Sequence, residues 1–180
     1  MTGSHRNPAR RATLTLLAVT AAAVLAGCVP HEPDAGATRG TEPPVDAETA
    51  KQQMIDAVDD ATGRLGGSWK ARTGPDYTED CTLPDGEQGA HWRYLTGSTL
   101  EGTPEDDAAR MADHWRSQGM SIVERDSSDG PAIFGGGGGK IASISVYAYS
   151  GNYTVQAVSL CFPGNADQIS ESQAAESDDS

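Results

Sequence analysis

Apolar and polar positions follow different rhythms in different parts of this chain. Residues 14–26 (LTLLAVTAAAVLA) form an apolar run relieved only by Thr15 and Thr20. Residues 29–45 have no periodicity and hold four prolines, two glycines and several acids, the composition of a solvated tether. From Asp46 to Leu65 the pattern changes. Ala47, Met54, Val58, Ala61 and Leu65 recur at spacings near 3.6, with Lys51, Gln52, Asp56, Asp59 and Asp60 between them, which predicts a helix. Asp46 is placed to cap its start and Gly66-Gly67 to stop it. The stripe is narrow and rich in alanine, so it suits packing on a sheet.

A second helix is predicted from Thr103 to Gly119. Thr103 takes the cap position, Pro104 the first helical position, and Glu105, Asp106 and Asp107 the positive helix end. Ala108, Met111, Ala112 and Trp115 make its apolar face. Strands are expected at residues 68–72, with Trp69 inward, at 91–100, at 120–125 and at 132–134, separated by turns at Gly74-Pro75-Asp76, Pro84-Asp85-Gly86 and residues 126–131. Residues 141–149 alternate and residues 153–162 return, joined by a two-residue Gly151-Asn152 turn. With Ser150 facing Tyr153, residues Ala142, Ile144, Val146, Ala148, Val155, Ala157, Ser159 and Cys161 share one face, placed under the helices. Tyr147 and Tyr149 then fall on the opposite, wet face with Ser143, Ser145, Thr154 and Gln156. The tail beyond Pro163 is Ser, Ala, Asp and Glu and is expected to be disordered.

These elements predict an α+β domain at residues 46–164. It is an antiparallel sheet of four to five strands with two helices packed on one face and one disulfide. Residues 1–27 are set apart as a signal, 28–45 as the tether, and 165–180 as an acidic tail.

The signal carries the strongest local information. Arg6, Arg10 and Arg11 precede the apolar run, and no acid does. Thirteen residues are too few to span a bilayer, which takes about 20. A basic start, a short apolar middle and small residues at the end make a secretory signal. Its last residues, Leu25-Ala26-Gly27-Cys28, resemble the lipobox of bacterial lipoproteins. That resemblance implies that the Cys28 thiolate takes up a diacylglyceryl group, that the chain is cut before Cys28, and that palmitate-type acyl chains hold it on the cell membrane, extracytoplasmic side. Two acyl chains are what stable anchoring requires. Arg10-Arg11 also invites a twin-arginine reading, but Ala9 and Thr13 stand where polar and aromatic residues are usual, which favours general secretion.

Charge and cysteine count refine the picture. The 180 residues carry 13 Lys and Arg against 26 Asp and Glu, a formal charge of −13. Losing the signal removes three arginines and no acid, which leaves 10 against 26, or −16. Such a surface repels nucleic acid and anionic headgroups. With Cys28 lipidated, Cys81 and Cys161 remain, and in an exported chain they form one disulfide. The bridge closes 80 residues, worth about 4.5 kcal/mol on the chain-entropy account.

Motifs for chemistry fail on inspection. The run from Gly135 to Lys140 lacks the first glycine of a phosphate loop, where Phe134 stands, and has Ile141 where a hydroxyl must hold magnesium. It reads as a link between strands or a glycine-rich binding loop. His91-Trp92 and His114-Trp115 lie on different elements without metal-ligand spacing, and residues 126–130 lack a calcium loop's ligand count. No G-x-S-x-G occurs, and the pairs Asp59-Asp60 and Asp106-Asp107 diverge around helices as solvated charge. No catalytic residue, metal, cofactor or nucleotide is therefore assigned.

Gly67-Ser68-Trp69 after the first helix, a cysteine in the following loop, and a strand ending in Cys161-Phe162 together resemble the LppA-like lipoproteins of mycobacteria and other actinobacteria, over residues 47–162. The resemblance implies an envelope lipoprotein and transfers no active site. The expected function is non-enzymatic binding of a protein or other envelope partner at the membrane surface, with Tyr147 and Tyr149 as the first interface residues. The alternative is a carrier of small molecules or lipid, which calls for an apolar cavity of several hundred Å³.

Overall fold

The computed structural model describes residues 44–178. The signal, Cys28 and nearly all of the tether lie outside the described residues. Helix α1, Ala47–Leu65, starts where Asp46 accepts a hydrogen bond from Thr49 N at 2.9 Å and stops at Gly66, whose φ is 75°. Ala50, Met54, Val58, Ala61 and Leu65 form its buried stripe. Two strands follow, β1 (Lys70–Thr82) and β2 (Gln88–Ser98), then α2 (Pro104–Ser117). The remaining strands are β3 (Met120–Ser127), β4 (Gly130–Gly137), β5 (Ile141–Tyr147), β6 (Tyr153–Ser159) and the short β7 (Phe162–Pro163), and helix α3 (Ala166–Asp178) ends the described chain.

The architecture is α+β, with an antiparallel sheet ordered β1-β2-β6-β5-β4-β3 and β7 paired to β2. The sheet has seven strands, not four or five, and three helices, not two, lie among the described residues. Two segments read as turns or links account for part of the difference. Gly74-Pro75-Asp76 is an irregularity inside β1, where the register shifts between Thr73 and Tyr77 while pairing to β2 continues. Cys81 accordingly sits at the end of a strand. The glycine run extends β4 to Gly137, because Gly135 packs where an added Cβ would lie 3.2 Å from Trp115 and 3.1 Å from Met120. The bulky neighbours fill the space that the missing side chains leave.

The last hairpin also departs from expectation. Partners such as Val146 and Val155 pair two residues out of the predicted register, and the connection spans residues 148–152. Gly151 N donates to Leu100 O at 2.8 Å and Ala148 N to Pro131 O at 3.0 Å, so neighbouring segments take the donors a tight turn would use. An even shift leaves most faces unchanged. The exceptions are at the ends. An irregularity between Ile141 and Ser143 turns Ile141 into the core and leaves Ala142 exposed. Beyond Ser159 the strand breaks, and Phe162, fully buried against Trp92, takes the core position. Cys161 is half-buried and packs its sulfur against Gly89, away from the place beneath the helices assigned to it.

The segment past residue 165, expected to be disordered, is α3. Asn165 caps it through Gln168 N at 3.0 Å. Ala166 and Ile169 pack on the core, and Thr78 Oγ1 donates to Ala166 O at 3.0 Å. One cap and two apolar residues outweigh the polar composition. Thr78 pairs with Trp92 across β1 and β2, and Trp92 Nε1 donates to Ala47 O of α1, so α1 and α3 cover the same face of the sheet. Helix α2 joins them there over β3 and β4.

Candidate functional site

With the three described helices on one side, no described helix covers the other side of the sheet. Its positions form continuous cross-strand rows. One row runs Thr73, Leu95, Gln156, Ser145, Phe134 and Val123 across β1, β2, β6, β5, β4 and β3. The next runs Gly97, Thr154, Tyr147, Ala132 and Arg125. Tyr147 therefore stands on this face, half-buried, with its ring 5.6 Å from Phe134 and 5.8 Å from Tyr149, both edge to face. The Arg125 guanidinium covers Phe134 at 5.4 Å. At the other end, Tyr77, Arg93, Leu95 and Gln156 line a shallow hollow of about 410 Å³. Tyr77 is 46 % exposed and Val123 53 %, the most exposed large apolar side chains among the described residues.

Charge on this face runs against the acidic whole. Arg72 lies over Gly97 and donates to Asn152 Oδ1 at 3.0 Å, Arg93 donates to Glu79 at 2.8 Å, and Arg125 sits on Phe134. Among the described residues, Glu79 is the acid that the strand positions of this face carry, and it also meets His91 at 3.3 Å. The face is aromatic and basic in a chain of net charge −13.

On the helix side, a cleft of about 460 Å³ opens between α1, the C-terminal end of α2 and the β4–β5 connection. Gln53, Asp56 and Asp60 come from α1, Trp115 and Gln118 from the end of α2, and Gly138, Lys140 and Ile141 from the glycine-rich connection. Asp60 bonds Arg64 Nε at 3.0 Å and His114 Nε2 at 2.5 Å. His114 is thus a partner for an acid, and no set of three or more His, Cys, Asp or Glu suited to a metal occurs among the described residues. Gln53 Oε1 is out of contact with solvent and has no hydrogen-bond partner, an arrangement that costs about 1–3 kcal/mol unless a donor reaches it.

A buried polar network supports α2. Asp107 is 3 % exposed and accepts from Tyr153 Oη at 2.7 Å, from Thr103 N at 2.9 Å and from Arg110. Burial alone would raise its carboxyl, but the Tyr153 and Thr103 hydrogen bonds and the Arg110 charge prevail and hold it below the usual carboxylate range. Burial, then the bond to Asp107, pushes the Tyr153 phenol up. By sequence Asp107, beside Asp106, reads as solvated charge. Its position on the apolar side of α2, one residue before Ala108, was the signal available. The disulfide joins Cys81 of β1 to Cys161, with Cα atoms 6.1 Å apart. It ties the outer β1–β2 hairpin to the end of β6. The described helices include none long and apolar enough to cross a membrane.

No protein-family model and no curated protein matches the chain. A crystal structure of a DUF4853 family protein from Actinomyces odontolyticus is similar to it at a TM-score of 0.43 and 18% identity, over 66% of this chain and 67% of that one.

Proposed function

We propose that the chain is a membrane-anchored lipoprotein of the extracytoplasmic cell envelope, akin to the LppA-like lipoproteins, that acts by binding and not by catalysis. Its partner is a protein with an acidic surface, seated on the helix-free face of the sheet. The observation that carries this reading is the Phe134, Tyr147 and Tyr149 cluster beside Arg125, with Arg72 and Arg93 further along the same face. Tyrosine and arginine give large contact area and directional bonds at low conformational cost, and both are enriched at interface hot spots. Complementary charge steers encounter and rejects like-charged surfaces. The lipobox at Cys28 and the polar tether support attachment at the membrane.

A photo-crosslinker placed at Tyr147 in intact cells tests the interface. One specific protein product is expected, and it should weaken in an Arg125→Glu, Arg72→Glu double variant. Products no different from those of a crosslinker at Glu48 on α1 would defeat the reading. The anchor is tested separately: Cys28→Ser should release the protein from membranes and remove the mass of the acyl groups.

A further inference from the structure

Two opposite charges face the α1–α2 cleft without meeting. Asp56 on the α1 wall accepts from Gln52 Nε2 at 2.8 Å and has no ion pair among the described residues. Lys140, on the wall built by the glycine-rich connection, has no ion pair or hydrogen bond among the described residues. Elsewhere the protein brings such groups together, as in Lys51 with Asp76, Arg64 with Asp60, Arg93 with Glu79 and Arg110 with Asp107. Here the two groups line one cleft and form no ion pair with each other. Gln53 lines the same α1 wall as Asp56, with its Oε1 turned out of contact with solvent. Trp115 and Ile141 close the floor, each 1 % exposed. The volume of about 460 Å³ falls in the range of small-molecule sites.

We propose that this cleft binds a small zwitterion, an amino acid or short peptide carrying both a free ammonium and a free carboxylate. The ammonium faces Asp56, and the carboxylate faces Lys140. The hydrocarbon part rests over Trp115 and Ile141. A single ligand of this class satisfies the unmatched acid and the unmatched base together. A pure cation would face Lys140, a pure anion would face Asp56, and an acyl chain would leave both groups unmet. The site lies on the helix side of the sheet, so it does not depend on the partner-binding reading.

The test is calorimetric titration of the purified full chain with the dipeptide alanyl-leucine, its N-acetyl form and its C-amide form. The free dipeptide is expected to bind, and each blocked form to bind about fivefold more weakly or worse, as for loss of a charge-assisted bond. In Asp56→Asn the penalty for N-acetylation should vanish while the penalty for amidation remains. In Lys140→Ala the reverse should hold. Both side chains are exposed, so both variants keep the fold, which circular dichroism verifies. Equal binding of the three forms, or no binding at millimolar dipeptide to the folded wild type, overturns the proposal.

Discussion

The Asp107 carboxylate takes donors from Tyr153, Thr103 and Arg110 while almost out of water, so its charge is part of the core's architecture. Replacing Tyr153 by Phe strips one donor from a buried anion and should cost about 1–3 kcal/mol in urea unfolding. The pH dependence has a definite sign. The folded carboxyl lies below its ordinary value of 3.8, so the unfolded chain binds more protons in that range. This contribution is present above the unfolded value and drains away as pH falls through the folded one. Asp107→Asn should therefore lower stability at neutral pH and flatten the acid limb, seen by thermal melts taken from neutral pH down through and below 3.8, the ordinary value of the carboxyl. The neighbouring Asp106 is exposed. Two adjacent acids with opposite fates explain why composition alone missed the network. What separates them is a 100° turn of the helix, and that turn has meaning only once the sheet beneath is in place.

Elements were legible where periodicity and caps agreed. Helix α1 stands within one residue of its predicted start because Asp46 and Gly66 mark both ends. Helix α2 begins at Pro104 for the same reason, although Thr103 makes no side-chain cap and Asp107 reaches back to its N–H instead. Elements were illegible where a long-range partner overrode a local signal. Gly74 is the sharpest case. Its φ is 76°, and a Cβ there would lie 2.2 Å from Arg93 O of β2. The glycine serves close approach of two strands, which a turn reading hides. Gly74→Ala should destabilise by about 3 kcal/mol, combining backbone strain with a clash, as chemical denaturation would measure. Ala substituted at Gly86, whose surroundings are open but whose φ is 90°, should bring the strain without the clash and cost less. Helix α3 was missed because Ala166 and Ile169 are too few to register as a stripe in a tail of Ser, Asp and Glu.

At the scale of the molecule, the prediction of a one-sided α+β sandwich with an antiparallel sheet survives, with more strands than the chain advertised. The faces of β5 and β6 were recoverable because side chains alternate, and an error of two residues in register preserves that alternation. The helix-free face could be guessed from Tyr147 and Tyr149. The cleft could not, since it assembles α1, α2 and the glycine run from three distant stretches. The disulfide is the long-range tie the cysteine count required. Cys81→Ser with Cys161→Ser should lose about 2–5 kcal/mol, as equilibrium unfolding would report. Reductant should act on the wild type alike and leave the double variant untouched.

Among the described residues both margins of the sheet are open, since β1 and β3 each have a neighbour on one side only. Unpaired rims are templates on which another molecule's backbone can grow, and proteins that stay dispersed make them poor templates. Here β1 is broken by its irregularity near Gly74, while β3 interleaves Glu124, Arg125 and Asp126 along its length. Neutralising that second guard, with Glu124→Val and Arg125→Val, would leave Ile122 and Val123 in a smooth apolar ribbon. Such a protein should convert to thioflavin-binding fibrils within days at concentrations where the parent remains clear, which assigns to these few ionic groups the task of keeping the chain dispersed.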